Sequence, residues 1–178
     1  SSRIYVPASN NGLQVARRYV AVDDRNDVKR LPDGRWRFRA GARVRVEVTL
    51  VAPAVRHHVA LVDPLPAGLE PLNPILAMND VERHGRRPSG EDEEDEDDDE
   101  AGSDERLGGS SWFWFAHYEL RDDRAEVFAT SLQAGVYRFE YLARATTKGR
   151  FVAPAPKAEE MYAPETFGRG VVDRVIVE

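Results

Sequence analysis

Cysteine is missing from all 178 residues, which excludes disulfides, thiolate nucleophiles and cysteine-built metal sites within this chain. The compartment stays open on that ground, because proteins of oxidising spaces also do without cysteine. Apolar runs are short: none approaches the roughly 18 residues that a membrane-crossing helix needs, so no direct membrane insertion is expected. The opening residues SSRIYVPASN carry no charged leader ahead of an apolar stretch, so any export signal is expected outside this segment. Helical spacing of apolar residues is equally scarce.

Catalytic motifs are missing as well. No glycine-rich phosphate cradle, GxSxG elbow or HExxH pair is present. Gly108-Gly109-Ser110-Ser111 offers hydroxyls, but it leads into an expected strand and not a helix, so it reads as loop chemistry. The four histidines are His57, His58, His84 and His117. On a strand the adjacent His57 and His58 point to opposite faces, a poor start for a zinc site. The expectation is a non-enzyme with no cofactor and no metal.

What is abundant is acid in one place, since Glu91 to Glu100 reads EDEEDEDDDE, ten carboxylates in succession. Without them 21 acidic residues face 25 basic ones, and arginine far outnumbers lysine. The formal charge of -6 therefore belongs to one segment while the remainder is mildly basic. The run lacks the spaced Asp, Asn and Gly of a calcium loop. A polyanion on the same chain would compete with phosphate for the arginine-rich faces, so nucleic acid is not an expected partner.

Period-two alternation dominates the rest. Val44, Val46, Val48 and Leu50 alternate with Arg43, Arg45, Glu47 and Thr49; Tyr137, Phe139, Tyr141 and Ala143 alternate with Arg138, Glu140, Leu142 and Arg144. Trp36 and Phe38 sit among Arg35, Arg37 and Arg39 after the turn Leu31-Pro32-Asp33-Gly34. Further strands are expected over 13–22, 59–62, 112–120, 125–129 and 171–177, with Asp122-Asp123 turning a tight hairpin. This predicts an all-β, antiparallel two-sheet β-sandwich over 1–178. Residues 79–110, nearly devoid of large apolar side chains, read as a flexible acidic insertion within that single domain. The Trp112-Phe113-Trp114-Phe115 run carries aromatics on both faces, one expected in the core and the other against a neighbour.

Three passages resemble the C-terminal macroglobulin-like domain of bacterial alpha-2-macroglobulins. Val59-Ala60-Leu61-Val62-Asp63-Pro64-Leu65-Pro66-Ala67-Gly68-Leu69-Glu70 is similar to the family's strand and D-x-L-P-A-G-hydrophobic-E turn. His117-Tyr118-Glu119-Leu120-Arg121-Asp122-Asp123-Arg124 is similar to its H-x-E-x-R-D-D-R hairpin. Tyr141 to Gly168 resembles its Y-x-x-R-A…A-E-x-M-Y-x-P-E…G signature, with Ala155 where a Pro-Pro pair is frequent. The resemblance implies a non-catalytic domain of a large exported protease trap, periplasmic or at the cell envelope. Its partners would be the parent's other domains, chiefly the one carrying a Cys-Gln thioester, and target proteases through the parent. With no cysteine here, that thioester would lie upstream.

Within that resemblance, Glu159, Glu160, Met161 and Tyr162 are the expected interface residues. Pro154, Pro156 and Pro164 would stiffen the segment as an extended excursion leaving the sheet after Val152. Two readings stay open: Met161 and Tyr162 shield the thioester, or they fold back as a plug on their own core. Asp63, Gly68 and Glu70 are expected in a structural turn whose glycine permits positive φ. His117, Arg121, Asp122, Asp123 and Arg124 are expected in a self-paired hairpin, and Arg144 in a strand. The alternative function is a stand-alone β-sandwich module for binding or adhesion.

Overall fold

The computed structural model describes residues 8–74 and 114–178. The expected insertion over 79–110, together with Trp112 and Phe113, lies outside them. The described part is all β: β1 (Ser9–Asn11), β2 (Gln14–Ala21), β3 (Val28–Arg30), β4 (Trp36–Phe38), β5 (Arg43–Ala52), β6 (Arg56–Pro64), β7 (Leu69–Pro74), β8 (His117–Leu120), β9 (Arg124–Leu132), β10 (Gly135–Ala145), β11 (Gly149–Ala153), β12 (Lys157–Glu160), β13 (Ala163–Arg169) and β14 (Asp173–Val177).

The alternating strands become the frame of the sandwich. In β5, Val44, Val46, Val48 and Leu50 are buried, and in β10 Phe139, Tyr141 and Ala143 join them. The two strands pair along their whole length, from Gly135 opposite Ala52 to Arg144 opposite Arg43. The first sheet is six-stranded and runs β1-β13-β12-β6-β9-β8; the second, which holds this pair, runs β2-β5-β10-β7; the third runs β11-β14-β4-β3. The antiparallel sandwich thus distributes its faces over three hydrogen-bonded sheets, and among the named strands one pairing is parallel, β14 with β4. Tyr19 of β2 bridges the second and third sheets, its ring edge-on to Trp36 at 5.2 Å and to Phe38 at 5.1 Å.

Of the aromatic strand expected from Trp112, the described part forms a strand only from His117. Trp114, Phe115 and Ala116 precede β8 as irregular chain. The Trp114 indole N–H donates to the Arg138 carbonyl at 2.9 Å, and Phe115 is buried with its ring edge-on to Phe139. Burying two consecutive rings against one core demands a bend, because a strand would send them to opposite faces.

Candidate interface site

Lys157-Ala158-Glu159-Glu160 has little intrinsic preference for a strand, yet it becomes β12, held on both sides. Glu159 lies opposite Ala60 of β6 and Phe167 of β13; Glu160 lies opposite Val59 and Ala163. Only Ala158 of the four is fully buried. This corrects the expectation of an unsupported excursion stiffened by prolines. Pro154 and Pro156 instead lie in the crossing from β11 in the third sheet to β12 in the first. Tertiary pairing satisfies the backbone groups that a free loop would leave to water.

Met161 and Tyr162 form the two-residue tip between β12 and β13. They are 46% and 81% exposed, so they do not plug the core. The tip is fastened to β6: the Met161 N–H donates to the His58 carbonyl at 2.9 Å, and Glu160 Oε1 accepts from the His57 N–H at 2.8 Å. The His58 ring meets the Tyr162 ring edge-on, 5.1 Å between centroids. His58 also has φ 51, the one positive value on a described non-glycine residue, and it has no partner on β9 between His57 opposite Ser131 and Val59 opposite Ala129. Strain of this kind persists only where its surroundings hold it. No sequence pattern announced His58, since left-handed backbone at a histidine leaves no periodic mark.

Asp63 is not a turn residue. It ends the inward-facing row of β6 and is fully buried beside Arg17 of β2 and Asp173 of β14. Arg17 Nη1 meets Asp63 Oδ1 at 2.7 Å and the Pro64 carbonyl at 3.0 Å; Nε and Nη2 meet Asp173 Oδ2 at 3.0 and 2.9 Å; Nη2 also reaches the Ala153 carbonyl at 3.3 Å. All five guanidinium donors are therefore used. The Tyr141 hydroxyl donates to Asp63 Oδ2 at 2.6 Å. The three sheets thus converge on one side chain: β2 supplies it, β6 and its end receive it in the first sheet, and β11 and β14 receive it in the third. Burial works against the Arg17 charge, but Asp63 leads the neighbours that hold its pKa above the ordinary value. Burial raises the Asp63 carboxyl while Arg17 and Tyr141 pull it back, and burial raises the Tyr141 hydroxyl, with Asp63 adding to the rise. Arg17 could have been noticed as the one charge in the apolar phase Val15, Arg17, Tyr19.

Gly68 does not take positive φ; among the described residues the glycines that do are Gly12, Gly34, Gly41 and Gly149. A Cβ at Gly68 would instead collide with the Phe151 ring, so the requirement is close approach. Gly168 faces a harder wall, a Cβ there lying 2.5 Å from the Leu13 carbonyl oxygen. Glu70 stands in β7 opposite Arg144 of β10, and Arg144 donates to the Gly41 carbonyl at 3.3 Å.

The β8–β9 hairpin turns at Asp122-Asp123, closed by the Arg121 N–H on the Arg124 carbonyl at 2.8 Å. Arg121 meets Glu119 at 3.0 Å, Arg124 meets Glu126 and, at 3.1 Å, Asp123, and His117 stacks on Phe128 at 6.0 Å. The Asp123 carbonyl accepts from the Leu65 N–H at 2.8 Å. The hairpin lies by the end of β6 near Asp63, whereas the Met161-Tyr162 tip lies by its start near His58.

The model of the bacterial alpha-2-macroglobulin MG10 domain matches residues 12–165. A Dictyostelium discoideum protein named circularly permutated Ras protein 2 is 27% identical over 94% of this chain and 4% of its own length. The crystal structure of Salmonella alpha-2-macroglobulin reacted with methylamine is 26% identical with a TM-score of 0.66, over 98% of this chain and 10% of that one. Escherichia coli alpha-2-macroglobulin activated by porcine elastase gives 26% and 0.63, over 97% of this chain and 14% of that one. The chain spans less than a tenth of the curated relatives it matches.

Proposed function

Because the chain belongs to the bacterial alpha-2-macroglobulin MG10 domain family, we propose that it is a non-catalytic domain of a larger protease inhibitor. In this reading it packs on the parent's thioester domain and shields a thioester carried elsewhere in the parent, at the C-terminal end of an exported, cell-envelope protein. Target proteases reach it only through the parent. The observation that carries the reading is the tip itself: a Met and a Tyr, 46% and 81% exposed, on a hairpin whose backbone is paired on both sides. A preorganised tip covers a partner at low ordering cost. A polarisable thioether beside an aromatic ring excludes water over an apolar surface and keeps one polar edge.

A thioester survives only while water and amines are kept from it, and a Salmonella relative has been crystallised after reaction with methylamine. The deciding experiment is the rate of thioester loss in the full-length parent under methylamine, before any protease is added. Met161→Ala with Tyr162→Ala is expected to speed that loss at least tenfold, while the separate domain keeps its wild-type unfolding curve. Unchanged kinetics in the folded double variant would sink the shielding role.

A further inference from the structure

We propose that the outward face of the β11-β14-β4-β3 sheet is a binding surface for a carboxylate-rich polypeptide, and that its occupant is the chain's own segment Glu91–Glu100. The register places Arg150 opposite Ile176, Ile176 beside Arg37, and Arg37 opposite Lys29. With strands about 4.8 Å apart, three cations and one isoleucine form a row about 15 Å long. Arg174 stands on the same face, two residues before Ile176 and opposite the exposed Val152. Lys29, Arg150 and Arg174 are exposed.

The row is unlike the outward face of the β2-β5-β10-β7 sheet. There Arg18 and Arg45 both close on Glu47, and Arg45 also faces Glu140. Arg39, Arg43, Arg121 and Arg124 likewise have carboxylate partners. On the third sheet Glu178 reaches Arg37 at 3.2 Å, and among the described residues Lys29, Arg150 and Arg174 have no ion-pair partner. Like charges directly opposite one another on a sheet repel, so this face holds together more favourably when counter-charge arrives from outside it.

The same chain carries that counter-charge as ten successive carboxylates. An extended segment presents alternate side chains about 6.6 Å apart on one side, a spacing that long Arg and Lys stems match readily. About 17 residues separate Pro74 from Glu91, enough to reach roughly 55 Å when extended, more than the ~40 Å width of a domain this size. Tethering of this kind gives an effective concentration on the order of millimolar, so several individually weak pairs suffice.

The absence of cysteine gives a clean test, since Asp95→Cys provides a single nitroxide attachment point in the full chain. At low salt, paramagnetic broadening of backbone amides is expected to be several-fold stronger on β3, β4, β11 and β14 than on β8 and β9. It should vanish at about 1 M salt, where screening acts within ~3 Å, and in Lys29→Gln with Arg150→Gln and Arg174→Gln. The amide spectrum of the core reports that this variant is folded. Even or absent broadening overturns the proposal. So does equal loss in Arg25→Gln with Arg121→Gln and Arg144→Gln, which would show attraction by net charge alone. Broadening seen only when spin-labelled chains are mixed with unlabelled ones would assign the face to a second copy and also overturn it.

Discussion

Two regions of this domain invert the usual distribution of side chains. At the junction of the three sheets a guanidinium and two carboxylates are buried, where apolar groups ordinarily sit. At the β12–β13 tip a methionine and a tyrosine stand in water, where polar groups would serve. The interior inversion is complete in itself: Arg17 uses all five donors, and both Asp63 oxygens are met. The surface inversion is incomplete, because apart from the His58 ring against Tyr162 the apolar area of Met161 and Tyr162 stays largely exposed among the described residues. A satisfied anomaly serves the fold, whereas an unsatisfied one at a rigid tip points to a partner.

The largest expected effect comes from the interior. Arg17→Met leaves Asp63 and Asp173 buried without a cation and is expected to cost about 3–5 kcal/mol, the range for breaking a buried ion pair by removing one member. Urea unfolding measures it, and a loss below about 1 kcal/mol would mean that the three sheets do not depend on this contact. Gly168→Ala follows, because its new Cβ meets backbone at Leu13 that cannot swing aside. A loss of about 1–3 kcal/mol is expected for such overpacking.

Tyr141→Phe is expected to cost about 1–3 kcal/mol by leaving Asp63 Oδ2 without its donor. The same residue carries a pH signature. Burial raises the hydroxyls of Tyr19 and Tyr141 above the ordinary 10.0, so the folded state favours their neutral forms. Their contribution is present in full below pH 10 and is lost as pH rises beyond it. Urea midpoints recorded from about pH 8 to about 11 should fall at the alkaline end, and less steeply in Tyr141→Phe. A wild-type profile that stays flat through that range would contradict the assignment.

The smallest expected effect sharpens the contrast most. Met161→Ala with Tyr162→Ala in the separate domain should stay within about 0.5 kcal/mol of wild type, as exposed substitutions do. A loss of several kcal/mol would show that the tip belongs to the fold after all and would erase the distinction between the two regions.

Sequence alone determined the strands whose pattern is local. The alternation in 43–50 and 137–144 requires a half-buried strand whatever lies opposite, and the Asp122-Asp123 turn is written in residues that tolerate turn dihedrals. The motifs around Asp63, Arg124 and Met161 were enough to indicate the family. Only the tertiary structure decided what those residues do. β12 is a strand because β6 and β13 flank it, and Gly68 is small because Phe151 arrives from 83 positions away. Arg17 is buried because Asp63 and Asp173, 46 and 156 residues along the chain, converge on it. Periodicity records which face of an element is apolar; it holds no record of which distant group arrives to satisfy a charge, and here those arrivals join the three sheets and anchor the tip.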